Sequence, residues 1–358
     1  MWRAVLGGVL GGLLAVALIL VGTLEFLELK ALDSLFQLRG VRQPRASIVI
    51  VAIDEDTFKA LNLQWPFPRA LHGRLIDKLR AAAPAAIGVD VLFPEPSLHG
   101  PADDEAFGSA VARAGNVVLA AAIAEFEGAP VLKVLRPVPT IARRAAATGV
   151  TGPLTDSDGF VRRAVVHRSL LEQTFTAHLH RLAAAAGVPA KPLPEASEVL
   201  INFRGGPGTF PRTPYHQVLQ DAVPAEAIRG KIVLVGATSP ALLDMVSTPF
   251  SAQSGMPGVE VQANILETLL TGNPLRETSA WLGGAIAMVA ALFAAGLVAR
   301  LREWALIAVL ALLVAVGFGT FLLFSVWDIW FRPVGVMLAV IFGLVSAMAF
   351  TLQRGRPR

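Results

Sequence analysis

Four long apolar runs stand out along the chain, one near the N-terminus and three close together near the C-terminus. They cover residues 4–24, 281–299, 304–327 and 333–353, and none contains Asp, Glu, Lys or Arg. Each is long enough for a helix to cross a hydrocarbon core of about 30 Å at about 1.5 Å per residue. The pattern therefore predicts four transmembrane helices. The first run lacks a small-residue cleavage site before Glu25, so we interpret it as a retained anchor rather than a signal peptide.

The apolar pattern continues past the first run with helical spacing. Phe26, Leu29, Leu32 and Phe36 recur at intervals of three or four residues, and the stretch ends near Gly40. Such a stripe is typical of an amphipathic helix. We predict a stalk helix that continues outward from the anchor and packs on the following domain or on a second copy of the chain.

Between the first and second apolar runs, short apolar segments alternate with amphipathic ones. The predicted strands cover residues 47–53, 86–93, 116–122, 160–168, 199–203 and 231–235. The predicted helices cover residues 69–82, 102–114, 175–186 and 258–270. Three consecutive strand–helix units favour parallel strands joined by right-handed crossovers. The predicted fold class is α/β, an exported domain with a mainly parallel sheet flanked by helices, plus the four transmembrane helices.

Arginines near the apolar runs predict the orientation of the chain. Arg3 precedes the first run, Arg300 and Arg302 lie between the second and third, and residues 354–358 add more after the fourth. With four spans, all of these arginines fall on one side of the membrane, which the positive-inside rule makes cytoplasmic. The α/β domain then lies outside the cytoplasm. Arg332, between the third and fourth runs, opposes this orientation.

The amino-acid composition limits which classes of protein and which partners fit this chain. The mean hydropathy of +0.58 and the apolar fraction of 54% fit a chain that is partly membrane-embedded. The net charge of +4 includes the arginines beside the spans. No basic run with interleaved aromatic residues is present, so nucleic acid is not an expected partner. The chain has no cysteines, so the exported domain must hold together without disulfides.

The apolar runs also argue against transport. Transporters place ionisable groups at membrane depth, and these runs have none. Their glycines, at residues 283–284, 317 and 319, are instead expected to be points of close helix packing.

Six short motifs follow one another across the α/β region. They are ID at residues 53–54, WPFPR at 65–69, GVDVLF at 88–93, DGFVRR at 158–163, KIVLVG at 231–236 and PGVEVQAN at 257–264. In this order and spacing they resemble the CHASE extracellular sensor domain family, type 2, which is found in bacterial membrane receptors. The resemblance covers residues 24–276, and three C-terminal spans are also typical of that family.

The resemblance implies a layout and a location. We expect a transmembrane anchor at residues 1–27, an extracytoplasmic sensor domain with its stalk helix at 28–276, three transmembrane helices at 277–353 and a cytoplasmic tail at 354–358. The expected location is the bacterial inner membrane.

Several motif residues are expected to have structural roles. They are Trp65, Pro66, Pro68, Gly236, Pro257, Gly258, Glu260 and Asn264. In the WPFPR segment the two prolines should rigidify a turn while Trp65 and Phe67 pack into the core, which we favour over an aromatic ligand box.

Acidic residues at strand ends suggest a ligand-binding site. In open α/β sheets, ligands bind beyond the carboxyl ends of the strands, and Asp54 lies at such an end. Asp90 lies close to Asp54 if their two strands are neighbours. Arg69 is the expected counter-ion, and Asp244 is a candidate third acid. Two interpretations stay open: a site for a polar or cationic ligand, or a structural ion-pair network that fixes the helix after the WPFPR turn.

Other patterns give no sign of catalysis. The loop at residues 205–208 (GGPG) lacks the Lys-Ser/Thr pair of a phosphate-binding loop and is expected to be a turn. We find no nucleophile or metal-ligand constellation, so no enzymatic activity, metal or cofactor is expected in these residues.

Layout and resemblance together predict the sensory input and transmembrane region of a signal-transduction receptor. Relatives usually continue into a nucleotide cyclase, a diguanylate cyclase or a kinase, and a cyclase is the output that the resemblance favours. Only residues 354–358 follow the fourth run, so we expect either a chain cut before its output module or one that binds another subunit. The expected partners are an unidentified extracytoplasmic ligand and a second copy of the chain. The alternative is a structural or accessory membrane protein that recruits a partner through its exported domain.

Overall fold

The computed structural model describes residues 2–124, 133–167, 173–251 and 254–352. The predicted tail at residues 354–358 lies outside them, as does Arg168 at the end of a predicted strand. The helices of the described residues are α1 (Trp2–Val21), α2 (Glu25–Arg39), α3 (Glu55–Leu61), α4 (Arg69–Ala81), α5 (Pro101–Ala114), α6 (Pro139–Ala142), α7 (Phe175–Ala185), α8 (Tyr215–Leu219), α9 (Gly258–Thr271), α10 (Ala280–Leu301), α11 (Ala305–Trp327) and α12 (Pro333–Leu352). The strands are β1 (Ile48–Ile53), β2 (Ala86–Asp90), β3 (Val117–Ala124), β4 (Lys133–Leu135), β5 (Ala147–Val150), β6 (Pro153–Thr155), β7 (Val161–Val165), β8 (Glu198–Leu200), β9 (Arg212–Pro214), β10 (Ile232–Ala237), β11 (Met245–Val246), β12 (Met256–Pro257), β13 (Arg276–Glu277) and β14 (Ile329–Trp330).

The chain divides into two compact units, residues 41–274 and residues 1–40 with 275–358. We call the first the α/β domain and the second the helical unit. The main sheet of the α/β domain has the strand order β4-β3-β2-β10-β1-β9, and β5 also pairs with β3. All its pairings are parallel except that of β4 with β3. The predicted α/β fold with a mainly parallel sheet is therefore confirmed.

Helices cover both faces of this sheet because its central strands are apolar on both sides. β1 and β10 are buried at every position, as is typical of parallel strands. On one face, Val51 and Val235 belong to a core that includes side chains of α4, α5 and α8. On the other face, Ile50 and Leu234 belong to a core with α7 and α9. The carboxyl ends of β1, β10 and β2 consequently lie side by side at one edge.

The helical unit contains four helices in its described residues that are long and apolar enough to cross a membrane: α1, α10, α11 and most of α12. This agrees with the four predicted spans. α1 packs against both α10 and α12, and glycines on two of its sides allow that approach. A Cβ on Gly11 would lie 2.7 Å from the backbone of Phe342 in α12. A Cβ on Gly8 would lie 2.8 Å from Ala295 in α10.

The close-packing glycines are only partly those expected from the sequence. A Cβ on Gly317 would lie 3.3 Å from Met337, and one on Gly284 would lie 3.6 Å from Val16, as expected. Around Gly283 and Gly319 no described atom lies within 4 Å of a Cβ position, so that expectation was wrong for both. Closer contacts are made by small residues at every fourth position of α1, at residues 4, 7–8, 11–12 and 15.

Two buried side chains of the predicted stalk, α2, contact α11 and α12. The Glu28 carboxylate accepts hydrogen bonds from the backbone N–H groups of Val334 and Gly335, at 3.2 and 2.9 Å, where α12 begins. Burial raises the pKa of Glu28 above its ordinary value, although these hydrogen bonds oppose the change. The ring of Phe36 packs edge-on against Phe324 of α11, with centroids 5.0 Å apart. The sequence predicted neither contact.

Candidate functional site

Arg69 begins α4 and binds acids at the start of α5. Its guanidinium contacts the Asp104 carboxylate and the carbonyl oxygen of Glu95. Asp103 accepts hydrogen bonds from the backbone N–H groups of Arg69 and Ala70, both at 2.7 Å. The first turn of a helix leaves such donors unpaired, and Asp103 satisfies two of them. The structure thus gives Arg69 other partners than the strand-end acids that the sequence suggested.

Asp103 also fixes the loop that precedes α5. The Ser97 hydroxyl donates to its carboxylate at 2.5 Å. Burial alone would raise the pKa of Asp103, but the hydrogen bonds from Ser97 and from the start of α4 lower it below its ordinary value. α4, α5 and the loop between β2 and α5 therefore share one ionic network. For Arg69, this arrangement supports the structural interpretation.

Asp54 follows β1 and caps α3. Its carboxylate accepts hydrogen bonds from the backbone N–H of Thr57 at 2.9 Å and from the Thr57 hydroxyl at 2.7 Å. An aspartate in this position is a common helix N-cap. Within the described residues, one oxygen of Asp54 thus has a local structural role.

The structure brings Asp90 and Asp244 together, apart from Asp54. β10 lies between β1 and β2, and Gly236 of β10 pairs with Asp90, so the strands of Asp54 and Asp90 are not neighbours. Burial, and then the nearby Asp244 charge, raise the pKa of Asp90 to about 7. Burial also raises the pKa of Asp244. The Asp244 carboxylate lies 2.5 Å from where a Cβ on Gly258 would be, so a larger residue at this position would displace the Asp244 side chain.

We predict that Asp90→Asn stabilises the protein more at pH 8.5 than at pH 5. The folded-state pKa of about 7, against an ordinary 3.8, means that folding favours the protonated carboxyl. Stability therefore falls as pH rises from about 4 to about 7, and the full penalty persists above that range. Asparagine carries no such penalty. Thermal unfolding of both proteins at the two pH values tests this, with the exposed Asp56→Asn as control. An equal shift at both pH values would contradict the prediction.

The WPFPR segment forms a turn whose aromatic rings meet at its inner side. The Trp65–Pro66 peptide bond is cis, and Pro68 occupies the N-cap position of α4. Phe67 is buried, whereas Trp65 is half-buried and packs edge-on against it with ring centroids 5.3 Å apart. Phe67 also contacts the ring of Tyr215 in α8, at 5.8 Å.

A cavity of about 220 Å³ opens beside this turn, at the carboxyl end of β2. We call it the aromatic cavity. Its lining residues are Trp65, Pro66, Phe67, Arg69, His72 and residues 91–99. His72, in the second turn of α4, is only 2% exposed and lies among the rings of Trp65, Phe67 and Phe93. Burial lowers the pKa of His72 to about 4, so the imidazole is neutral at physiological pH.

The GGPG loop is a turn held by α9. Glu260 accepts hydrogen bonds from the backbone N–H groups of Gly208 and Thr209, at 2.8 and 2.9 Å. Asn264, one helical turn later, accepts one from the N–H of Arg204 at 2.9 Å. Pro257 occupies the N-cap position of the same helix. Gly236 of β10 lets α9 approach, because a Cβ there would lie 2.6 Å from Val259.

Glu267, one turn beyond Asn264, forms a fully buried ion pair that the sequence motifs did not predict. Its Oε1 lies 2.9 Å from both Nε and Nη2 of Arg204. It also accepts hydrogen bonds from the backbone N–H groups of Arg45 and Ala46, at 3.0 and 2.8 Å. A detectable signal was present, because Glu267 follows Glu260 by seven residues and so lies on the same helical face.

The DGFVRR motif likewise forms a buried ion pair. Arg162 of β7 is 1% exposed and donates to the carboxylates of Asp156 and Asp158, each at 2.8 Å. Asp156 begins the turn between β6 and β7, and Asp158 lies within it. The motif therefore fixes this hairpin.

An α/β domain inserted between the first and second of four candidate membrane spans defines a membrane protein. A sequence model described as the CHASE2 domain matches residues 10–298. The chain therefore belongs to the CHASE2 domain family, and the resemblance seen in its six motifs is confirmed. As a sensor domain family, it indicates a signal-sensing role. No curated protein and no solved structure matches the chain.

Proposed function

We propose that this chain is the sensory input and transmembrane region of a bacterial signal-transduction receptor. Its α/β domain lies outside the cytoplasm at the inner membrane and binds a ligand there. A homodimer transmits the change to a cytoplasmic output module, for which a nucleotide cyclase is the first candidate. The input role needs no catalysis by these residues. Family membership and the insertion of the domain between apolar helices support this proposal.

One set of contacts in the helical unit supports it most directly. Arg332, in the link between α11 and α12, donates to Glu277 at 2.8 Å and to Glu25 at 2.5 Å. Glu25 belongs to α2, before the α/β domain in the chain, and Glu277 belongs to β13, after it. One arginine therefore ties together the two segments through which the chain reaches and leaves the domain. Its glutamate partners also offset a charge that opposed the predicted orientation.

Backbone pairing strengthens this connection. β13 pairs with β14 of the same link, where the N–H of Arg276 donates to the carbonyl of Asp328 at 2.9 Å. The side chain of Asp328 forms an ion pair with Arg39 of α2, at 3.7 Å. We call these contacts and those of Arg332 the junction. The protein can have two states that differ in their junction contacts. A ligand of the α/β domain shifts the helices only if it binds these two states with different affinity.

Single cysteines test the sidedness of the receptor, since the chain has none of its own. Leu98→Cys places a thiol at a position that is 89% exposed in the α/β domain. Glu303→Cys places one between the second and third spans. A membrane-impermeant maleimide should label Leu98→Cys in intact spheroplasts and Glu303→Cys only after permeabilisation. Labelling of both cysteines without permeabilisation would contradict the proposal.

A reporter tests the transmission step in the same protein. With an adenylate cyclase catalytic domain fused after residue 358, Arg332→Gln should change cyclase activity at least threefold at equal membrane levels. Arg143→Gln, an exposed arginine of the α/β domain, is the control and should leave activity unchanged. Equal activities of the Arg332→Gln and unaltered fusions would count against a junction role.

A further inference from the structure

The aromatic cavity is lined by a polar side-chain atom, Nε2 of His72, that makes no hydrogen bond within the described residues. Nδ1 of His72 lies 3.0 Å from the hydroxyl oxygen of Tyr215. Nε2 has no hydrogen-bond partner among the described residues, and it keeps accessible surface. Because His72 lines the cavity and is otherwise buried, that surface belongs to the cavity. The protein itself gives Nε2 no partner, so this atom is available to a molecule that enters the cavity.

The hydrogen bond with Tyr215 determines what Nε2 offers. Burial raises the pKa of the Tyr215 phenol above its ordinary value, so it keeps its proton. Its hydroxyl has this single hydrogen bond within the described residues, so its proton has an acceptor only if the hydroxyl donates to Nδ1. A neutral imidazole that accepts at Nδ1 carries its own proton at Nε2. His72 therefore presents one N–H donor to the cavity.

The charges and the walls of the cavity further limit the chemical class of the ligand. The Arg69 guanidinium is neutralised by Asp104 and lies over the Phe93 ring, 5.4 Å from its centroid. It therefore gives little attraction to an anion. Trp65 and Phe67 supply further aromatic surface, against which a flat apolar ring packs well.

The volume sets the size of the ligand. A cavity of roughly 150 Å³ suffices to hold benzene, so about 220 Å³ accommodates one ring with a small substituent. We propose that the aromatic cavity binds a small uncharged aromatic molecule whose carbonyl oxygen accepts a hydrogen bond from Nε2 of His72. This rests on the proposed sensory function, because it gives the chemical class of the signal.

Three probe molecules of similar shape test the proposal on the full chain in detergent micelles. Acetophenone has the ring and the acceptor, ethylbenzene has the ring alone, and benzoate carries a charge. Dissociation constants come from saturation-transfer NMR titrations. Acetophenone should bind about three- to tenfold more tightly than ethylbenzene, as expected for one neutral hydrogen bond. Benzoate should bind more weakly than acetophenone.

All three probes also partition into the micelle. Variants therefore distinguish binding in the cavity from this partitioning. His72→Phe removes the donor and keeps a ring, so it should abolish the preference for acetophenone over ethylbenzene. Leu92→Trp fills the mouth of the cavity from a position that is 42% exposed, and it should abolish binding of both without disturbing the core. His178→Phe, a histidine of α7 outside the cavity, is the control. Circular dichroism checks the fold, and Leu92→Trp decides the question if His72→Phe does not fold.

Two results would overturn the proposal: equal binding of the three probes, or acetophenone binding that survives Leu92→Trp. The cyclase fusion distinguishes this failure from failure of the sensory function. Acetophenone that binds without changing cyclase activity would leave the cavity assignment standing and refute the ligand class as a signal. In the opposite case, Arg332→Gln changes the cyclase activity of the fusion but no probe binds to the protein. That result would support the receptor function and refute the cavity assignment.

Discussion

Replacing Glu267 by Gln is expected to lower the free energy of unfolding of the α/β domain by about 3–5 kcal/mol. Glu267 and Arg204 are both buried, and the Glu267 carboxylate also accepts hydrogen bonds from the backbone N–H groups of Arg45 and Ala46. The substitution removes the negative charge that lies 2.9 Å from the Arg204 guanidinium in the interior. It also turns one accepting oxygen into an NH₂ group that faces other donors. Both effects destabilise the folded state.

Hydrogen exchange of peptides covering β1 and β10 measures this loss in the full chain. The matched control is Glu105→Gln, which breaks the ion pair of Glu105 with Arg144. Glu105 is 54% exposed, and pairs of this kind contribute about 1 kcal/mol or less. If both variants exchange at the same rate, the buried pair does not stabilise the domain in the way we infer.

Gly11→Ala is expected to destabilise the helical unit by about 1–3 kcal/mol. The added Cβ would lie 2.7 Å from the carbonyl carbon of Phe342 and 2.8 Å from its oxygen. These are backbone atoms of α12, so no rotation of a side chain relieves the clash. α1 and α12 must move apart, and the contacts between them weaken along their length.

The control for this change is Gly319→Ala. It makes the same substitution in α11, where no described atom lies within 4 Å of the new Cβ. Alanine also favours a helix over glycine by about 1 kcal/mol, so this variant should be neutral or stabilising. Thermal unfolding of the full chain in detergent compares the two. A midpoint for Gly11→Ala at or above that of Gly319→Ala would refute close packing of α1.

The alternation of strands and helices was enough to predict a parallel sheet, because that pattern depends on local periodicity. The order of the strands was not predictable in the same way. β10 inserts between β1 and β2 although it follows β1 by almost 180 residues in the chain. No local pattern specifies which strands pair, and this placement separates Asp54 from Asp90.

Ion-pair partners failed to follow from the sequence for a related reason. The motif suggested that Arg69 meets acids at strand ends, yet its partner is on α5. Which helix packs beside α4 depends on tertiary structure. His72 carried no motif at all, and its importance arises only from the rings and the cavity around it. By contrast, the glycines of α1 repeat at intervals of four, and that pattern could have identified its packing faces.

The position of α1 between α10 and α12 has a consequence for biogenesis. α1 is synthesised before the α/β domain, but both of its packing partners are made only after that domain. The Ser346 hydroxyl of α12 donates to the carbonyl of Gly7 across 339 residues of chain. During synthesis the groove of α1 at Gly7 and Gly11 therefore remains unfilled until α12 enters the bilayer, whereas α10 fills the groove at Gly8 earlier. Packing of α1 against α12 is thus a late step of biogenesis, which follows synthesis of the α/β domain, α10 and α11.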